Sequence, residues 1–317
     1  MPPAHSGARV LLVAKFNQRY HRTGCALRDA LMALGCEVAT VEERTRGLDA
    51  FLRRSLAARL ARALRQNPPD LVVVFKGATL VPELIERLRP LGPARWVNWF
   101  PDSPHVLELS LANGRAYDRC FLFDSWMVDR HRALGRAADY LALGCDPAFH
   151  RPLGAPGDRR LPIVFIGSVE PGREAALAAA ADLGLFAWGP GRRRGPLYGD
   201  RMVRAFSRAD VALNVHQFFG DPPDLARYGT GANQRVFELA AIGTVQLCDA
   251  KADIARELRE ESEIVLYRTL GELHEKAEWL LAHAAERERI ARRARERALR
   301  EHTWRHRLEA LLASALR

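Results

Sequence analysis

No stretch of this chain is apolar for the ~18–20 consecutive residues that a helix needs to cross a bilayer, so no transmembrane helix is expected. Cysteine is sparse. Cys25, Cys36, Cys120, Cys145 and Cys248 are odd in number, widely spaced and never arranged as Cys-x-x-Cys. That argues against a disulfide framework, a zinc ribbon and a thiol redox motif, and leaves small buried apolar residues as their expected role. Gly-x-Gly-x-x-Gly is absent, which weakens any dinucleotide reading, and so is Gly-x4-Gly-Lys-Ser/Thr, which argues against a P-loop NTPase. Zinc fingers, basic-zipper heptads and RNA-binding aromatic motifs are missing as well, so no nucleic-acid partner is expected. The opening Met1–Arg9 lacks the basic, apolar and small-residue layout of a signal peptide, and a cytoplasmic protein is expected.

Lysine is also scarce. Only Lys15, Lys76, Lys251 and Lys276 occur, so arginine carries almost all of the formal charge of +10. Together with the abundant alanine this resembles a GC-rich coding bias as much as a selected basic surface. A positive excess still favours anionic partners, from phosphorylated substrates to an anionic membrane surface touched peripherally. In Glu286–Arg297 the arginines alternate with glutamate at i,i+4 spacing, the pattern of a solvated helix face.

With 317 residues, 48% of them apolar, the chain suits two domains of ordinary size, at ~150 residues each. In the first half, short apolar strands at Arg9–Phe16, Cys36–Val41, Leu71–Phe75, Arg95–Phe100, Arg119–Phe123 and Asp139–Leu143 alternate with helices at Thr23–Leu34, Leu48–Gln66, Pro82–Arg89 and Met127–Leu134. Runs without polar alternation are strands buried on both faces, and the alternation with helices implies a parallel sheet. The Pro- and Gly-rich stretch Asp146–Asp158 then breaks the pattern and marks a boundary, giving domains 1–155 and 156–317. Strands at Leu161–Gly167, Leu185–Trp188, Val211–Val215, Thr244–Asp249 and Ile264–Tyr267 restart it, and the tail beyond reads as two helices. The expected fold is α/β: two Rossmann-like doubly wound domains, with ligands at the carboxyl ends of the strands and a cleft between the halves.

Candidate site residues therefore come from the strand ends. Gly167-Ser168 closes the first strand of the second half, and Gly172-Arg173 opens the next helix, where backbone N–H groups and the helix dipole suit a phosphate; a plain tight turn is the other reading. Trp188-Gly189 can lie against a nucleobase or in the core. Asn214 and His216 end a strand and are polar contacts or structural groups. Gly231 belongs to a loop able to wrap an anion. In the first half, Pro101 and Pro104 stiffen a turn that projects Asp102 and His105, candidates for a general base, while Asp102 as a helix cap is the alternative. Lys76-Gly77 and Gly24 are candidates for the acceptor side.

The most informative stretch is Asn233–Asp249. A loop leads into a short apolar helix that carries Arg235 and Glu238 near its start, Gly243 stops it, and a buried strand follows. The Glu238 carboxylate can accept two hydrogen bonds from a vicinal diol such as a ribose, or simply pair with Arg235 at the surface.

Trp99–Pro104, Phe165–Gly167 with Arg173-Glu174, Val211–Asn214, Arg235-Val-Phe-Glu238 with Gly243, and His302–Arg307 together resemble the CgeB-like (spore maturation protein) branch of the GT-B glycosyltransferases. The resemblance implies a bacterial enzyme that moves a sugar from a nucleotide-sugar, UDP- or dTDP-linked, to an unidentified glycan, protein or small molecule. It implies no cofactor and no metal, with Gly167, Ser168 and Arg235 near the diphosphate, Asn214 assisting there and Glu238 on the ribose; Arg173 and Asn233 are further donor-side candidates. Many retaining members of the superfamily carry a second glutamate eight positions before the one matched by Glu238; Thr230 stands there. That departure leaves stereochemistry open and makes Asp102, then His105, the base if the reaction inverts. A nucleotide-sugar epimerase or hydrolase, and a non-catalytic binder of nucleotide-sugars or anionic polymers, are the alternatives.

Overall fold

Short β-branched runs separated by helical periods leave one economical solution, a parallel sheet covered on both faces, and the chain builds it twice. The computed structural model describes residues 7–16, 22–43, 55–102, 104–154, 161–220 and 225–317. The chain divides into two compact units, Met1–Ala142 with Trp304–Arg317 and Leu143–Thr303.

The first unit contains β1 (Arg9–Ala14), α1 (Thr23–Ala33), β2 (Glu37–Glu42), α2 (Leu56–Gln66), β3 (Leu71–Phe75), α3 (Pro82–Leu88), β4 (Arg95–Phe100), α4 (Leu107–Gly114), β5 (Arg119–Leu122), α5 (Ser125–Ala133) and β6 (Ala138–Tyr140). Its last helix, α13 (Trp304–Ala315), comes from the far end of the sequence. The sheet is parallel throughout, in the order β2-β1-β3-β4-β5-β6. Val10–Ala14 and Leu71–Val74 are buried on both faces, as their unbroken apolar runs require. Ser55 caps α2 by accepting from the Ala58 N–H, and Asp124 caps α5 through the Met127 N–H.

The second unit contains β7 (Leu161–Ile166), α6 (Pro171–Ala179), β8 (Leu185–Trp188), α7 (Asp200–Ser207), β9 (Ala209–Asn214), α8 (Leu225–Tyr228), α9 (Gln234–Ile242), β10 (Gln246–Asp249), α10 (Ile254–Glu257), β11 (Val265–Tyr267), α11 (Leu270–Ala282) and α12 (Ala284–Glu301). Its sheet is parallel too, in the order β11-β10-β9-β7-β8. Successive residues of β7 and β9 face opposite sides. Ile163, Phe165, Val211 and Leu213 enter one core with α6 and α11, while Val164 and Ala212 enter another with Phe206 and Leu239.

Several expectations need correction. The tail forms α11, α12 and α13 rather than two helices, because breaks fall at His283 and His302. α4 and α8 were not expected; neither has a long amphipathic period to betray it. The expected helix Leu48–Gln66 is seen from Leu56, and its part before residue 55 lies outside the described residues, as does the Met1–Ser6 start. Gly24 lies in the first turn of α1, not in a strand-end loop; a Cβ there would stand 2.3 Å from the Lys15 carbonyl oxygen. The arginine-rich α12 is not solvated all round. Arg287 is buried, with Nη2 on Asp210 Oδ1 at 3.1 Å and Nη1 on the carbonyls of Leu280 and Leu281.

The division at 142/143 also differs from the boundary read at 155/156, and the last helix belongs with the first unit. Trp304 is the physical reason. It is buried edge-on against Phe75 and Trp99, with ring centroids at 6.2 and 5.5 Å. Arg95 Nη1 further ties the end of the chain down through the carbonyls of Ala315 (2.8 Å) and Arg317 (2.6 Å).

Candidate active site

In the second unit, strand order reverses direction of growth between β7 and β9, the switch point where open α/β sheets bind ligands outside the strand carboxyl ends. β7 ends at Ile166, and the chain turns through Gly167-Ser168 into α6. Two glycines make the turn possible. A Cβ on Gly172 would lie 1.9 Å from the Phe219 carbonyl oxygen, and one on Gly189 would lie 1.8 Å from that of Gly167. Only glycine lets these backbones approach so closely.

Arginines gather on this turn. Arg173 donates from Nε to the Val215 carbonyl at 3.0 Å and from Nη1 to Ser168 Oγ at 2.7 Å. Arg192 reaches over from the loop after β8, donating from Nε to the Gly167 carbonyl (2.9 Å) and from Nη2 to the Ser168 carbonyl (3.0 Å), with Glu174 as its counter-ion at 2.6 Å. Both guanidiniums lie over the Phe165 ring, at 5.9 and 5.0 Å from its centroid. Burial pulls the Arg173 pKa below the ordinary arginine value. Glu170 and Asp249 oppose that, while the charges of Arg192 and Arg235 reinforce it. Positive groups held close enough to repel one another at a helix start form a receptor for an anion.

Across the switch point, Asp249 ends β10 fully buried and organises the next layer. Its Oδ1 accepts from the His216 N–H (2.8 Å) and from His216 Nδ1 (2.7 Å), and its Oδ2 accepts from the Tyr228 hydroxyl. His216 Nε2 accepts from the Asn233 N–H at 3.0 Å. The ring is thus the neutral tautomer with its hydrogen on Nδ1. Burial lowers the His216 pKa, against Asp249, and keeps the ring neutral. Burial alone would raise the Asp249 pKa, but His216, Lys251 and Tyr228 outweigh it and hold the carboxylate ionised. Lys251 donates to the Tyr228 and Gly229 carbonyls and lies 3.0 Å from the centroid of the Tyr228 ring.

This network presents the start of α9. Asn233 caps it by accepting from the Val236 N–H at 3.2 Å, and its amide pairs reciprocally with that of Asn214 at 3.2 and 3.0 Å. Gly243, at φ +79°, closes it in the left-handed conformation. Between the caps, Val236–Ile242 are all buried, Glu238 among them. The Glu238 carboxylate accepts from Gln234 Nε2 and from Arg235 Nη1, each at 2.7 Å, and His150 Nε2 stands 3.4 Å away.

The other residues singled out in this half are placed as follows. Trp188 is half-buried, stacked on Phe186 at 5.9 Å with Arg194 above both rings. Gly231 is buried beside Thr230, whose hydroxyl donates to Asp253 Oδ2 at 2.8 Å. Arg192, Asp249, Lys251 and His150 were not foreseen. A lone acid ending an apolar strand is the signal that marks Asp249. The glycines flanking Arg192 are the signal for that loop.

His216, Cys248 and Asp249 also offer three potential metal-ligating atoms within 4.8 Å of one another, all buried. The donor set does not suit a cation: both His216 nitrogens are engaged, and burial pushes the Cys248 thiol well above its usual pKa, so it stays protonated.

In the first unit the corresponding strand ends bring Lys76 and Asp102 together. Lys76 Nζ lies 3.0 Å from Oδ1 and 2.9 Å from Oδ2 of Asp102. Lys76 adopts φ +71° and Gly77 φ +70°, a left-handed pair that turns the chain sharply after β3. Asn98 and Asn113 hold the carbonyls of Lys76 and Gly77 at 3.1 and 3.4 Å. Asp102 does not cap the following α-helix, whose cap position is Val106. His105 is exposed on the short turn after it.

Residues 159–313 match the family described as glycosyl transferase-like. The chain as a whole has the GT-B fold of solved glycosyltransferases. No curated protein matches the sequence. Among solved structures, this chain is similar to sucrose-phosphate synthase from Thermosynechococcus elongatus, at 14% identity and TM-score 0.68 with 98% of each chain covered. It is also similar to a glycosyltransferase from Rickettsia africae, at 10% identity and TM-score 0.65 with 98% of each chain covered. Anabaena HepE in complex with UDP-glucose matches at 12% identity and TM-score 0.63, over 96% of this chain and 99% of that one. At such identities the likeness is one of fold. No helix among the described residues is long and apolar enough to cross a membrane.

Proposed function

We propose that the protein transfers a sugar from a ribonucleoside-diphosphate sugar, with uridine as base, to a hydroxyl acceptor, as a CgeB-like member of the GT-B superfamily. The observation that carries this is the convergence of Arg173 and Arg192 on the Gly167-Ser168 turn and over the Phe165 ring at the start of α6, with the charge of Arg235 also felt at Arg173. A diphosphate placed there relieves their repulsion, and as the sugar–oxygen bond breaks it gains a further negative charge that the same groups stabilise. This arrangement performs the task a divalent cation performs elsewhere, so the reaction is assigned no metal. Glu238 takes the ribose hydroxyls, and the Asn214–Asn233 amide pair orients the N–H groups at the start of α9. HepE, of like fold, is solved with UDP-glucose, which favours a uridine donor.

On the acceptor side, the first unit supplies Asp102 as the base. The acceptor oxygen forms its bond to the anomeric carbon, the carbon–diphosphate bond breaks, the nucleoside diphosphate departs with the electron pair, and the acceptor proton passes to Asp102. Lys76 covers both carboxylate oxygens, so it must yield one to the acceptor hydroxyl.

Thermal-shift titration with UDP-, dTDP-, GDP-, ADP- and CMP-sugars tests the donor half. One nucleotide family should stabilise the protein, and Glu238→Ala should weaken that binding by about 1–3 kcal/mol, the scale of hydrogen bonds to a charged group. Unchanged affinity in a folded variant removes Glu238 from the site. Asp102→Asn should slow transfer by ~10²–10⁴-fold, the usual contribution of a general base, while donor affinity holds; undiminished turnover removes Asp102.

A further inference from the structure

Three donors converge on the Glu238 carboxylate, and they differ in kind. Gln234 and Arg235 belong to the same helix, one turn before it, and both side chains are partly exposed. Such long side chains can swing aside when a ligand arrives. His150 comes from outside the helix and has a side chain only 6% exposed.

The geometry around His150 fixes its ring. The backbone N–H of Asp146 donates to His150 Nδ1 at 3.1 Å, and the His150 N–H donates back to the Asp146 carbonyl at 2.7 Å. Phe149 packs edge-on against the imidazole at 4.9 Å. A neutral imidazole that accepts at Nδ1 carries its hydrogen on Nε2, the nitrogen that stands 3.4 Å from Glu238 Oε1. One turn of chain, Asp146–His150, therefore sets both the tautomer and the direction of the only Glu238 donor that is buried and does not belong to α9 among those three.

We propose that His150 is a positioning residue for ribose recognition: its Nε2–H holds the Glu238 carboxylate in the orientation that accepts the two ribose hydroxyls of the nucleotide. This rests on the assignment of Glu238 to the ribose. A carboxylate offers about four lone-pair directions. The diol displaces Gln234 and Arg235 from two of them, while His150 stays on a third and prevents the group from rotating.

The test is calorimetric binding of UDP, GDP and ADP, each beside its 2′,3′-dideoxy counterpart. For the nucleotide that binds the unmodified protein, the ribose form should be favoured by ~10–100-fold, as hydrogen bonds to a charged group imply. In His150→Ala that preference should fall to within about threefold, while affinity for the dideoxy nucleotide stays within about twofold of the unmodified value. His150→Gln, which keeps an N–H donor of similar reach, should recover part of the preference. A full ribose preference in His150→Ala overturns the proposal, and so does an equal loss of both nucleotides, which marks a merely structural residue. An unmodified protein that does not distinguish the two forms, a Glu238→Ala variant that still does, or binding of none of the nucleotides defeats the Glu238 assignment itself, and the proposal with it.

Discussion

At the scale of single residues, burial decides what the titratable groups can do. His131 in α5 is 1% exposed, with Nε2 2.9 Å from Ser110 Oγ, and its Nδ1 has no hydrogen-bond partner among the described residues. Burial, helped by the charge of Arg136, pushes its pKa down to about 4. The unfolded chain protonates the same ring near pH ~6.5, so below that pH the unfolded state binds a proton the native state refuses. Stability contributed by the neutral ring is present above pH ~6.5 and is lost as the pH falls towards 4, by about 3 kcal/mol at most. Denaturant unfolding of the protein and of His131→Gln across that window checks this. The variant should show a visibly shallower acid slope, retaining the share due to His216, whose pKa burial also lowers; identical slopes would acquit His131.

At the scale of elements, the sequence was most legible where one local rule dominated. Val10–Ala14 and Leu71–Val74 admit no reading but doubly buried strands, and Asn233 and Gly243 bracket α9 as their chemistry dictates. Elements without such a rule escaped. α8 spans only four residues, and α4 has little contrast between its faces. The site was legible in outline only. Strand ends pointed to Gly167, Ser168, Arg173 and Asn214 as candidates, because position in a parallel sheet follows from order along the chain, and the start of the capped helix pointed to Arg235 and Glu238. Arg192, Asp249 and His150 stayed hidden, since what matters for them is a partner 18 to 88 residues away: Glu174, His216 and Glu238 respectively. Spacing along a chain carries no trace of such pairings. Thr230, eight positions before Glu238, donates from its hydroxyl to Asp253 Oδ2 at 2.8 Å.

At the scale of the whole molecule, the first unit is completed by a helix that follows the whole of the second unit along the sequence. Trp304 fills the space between Phe75 and Trp99, and α13 packs against α1. Trp304→Ala should cost about 3–5 kcal/mol, the usual loss for a large buried aromatic. The cost should be local. Hydrogen exchange should quicken in β1, β3 and β4, while the amides of β7 and β9 keep their protection. Equal quickening in both sheets, or none in the first, would contradict the assignment of α13 to the first unit.

The second unit begins and ends at one doorway. Cys145 and Thr303 are partners in a parallel bridge, and the Cys145 N–H donates to the His302 carbonyl at 3.0 Å. Leu143–Thr303 is therefore a nested insert, a loop of the first unit grown into a domain, with its entrance and exit side by side. A lineage can exchange that whole stretch as one contiguous cassette and leave its host a single short gap to close.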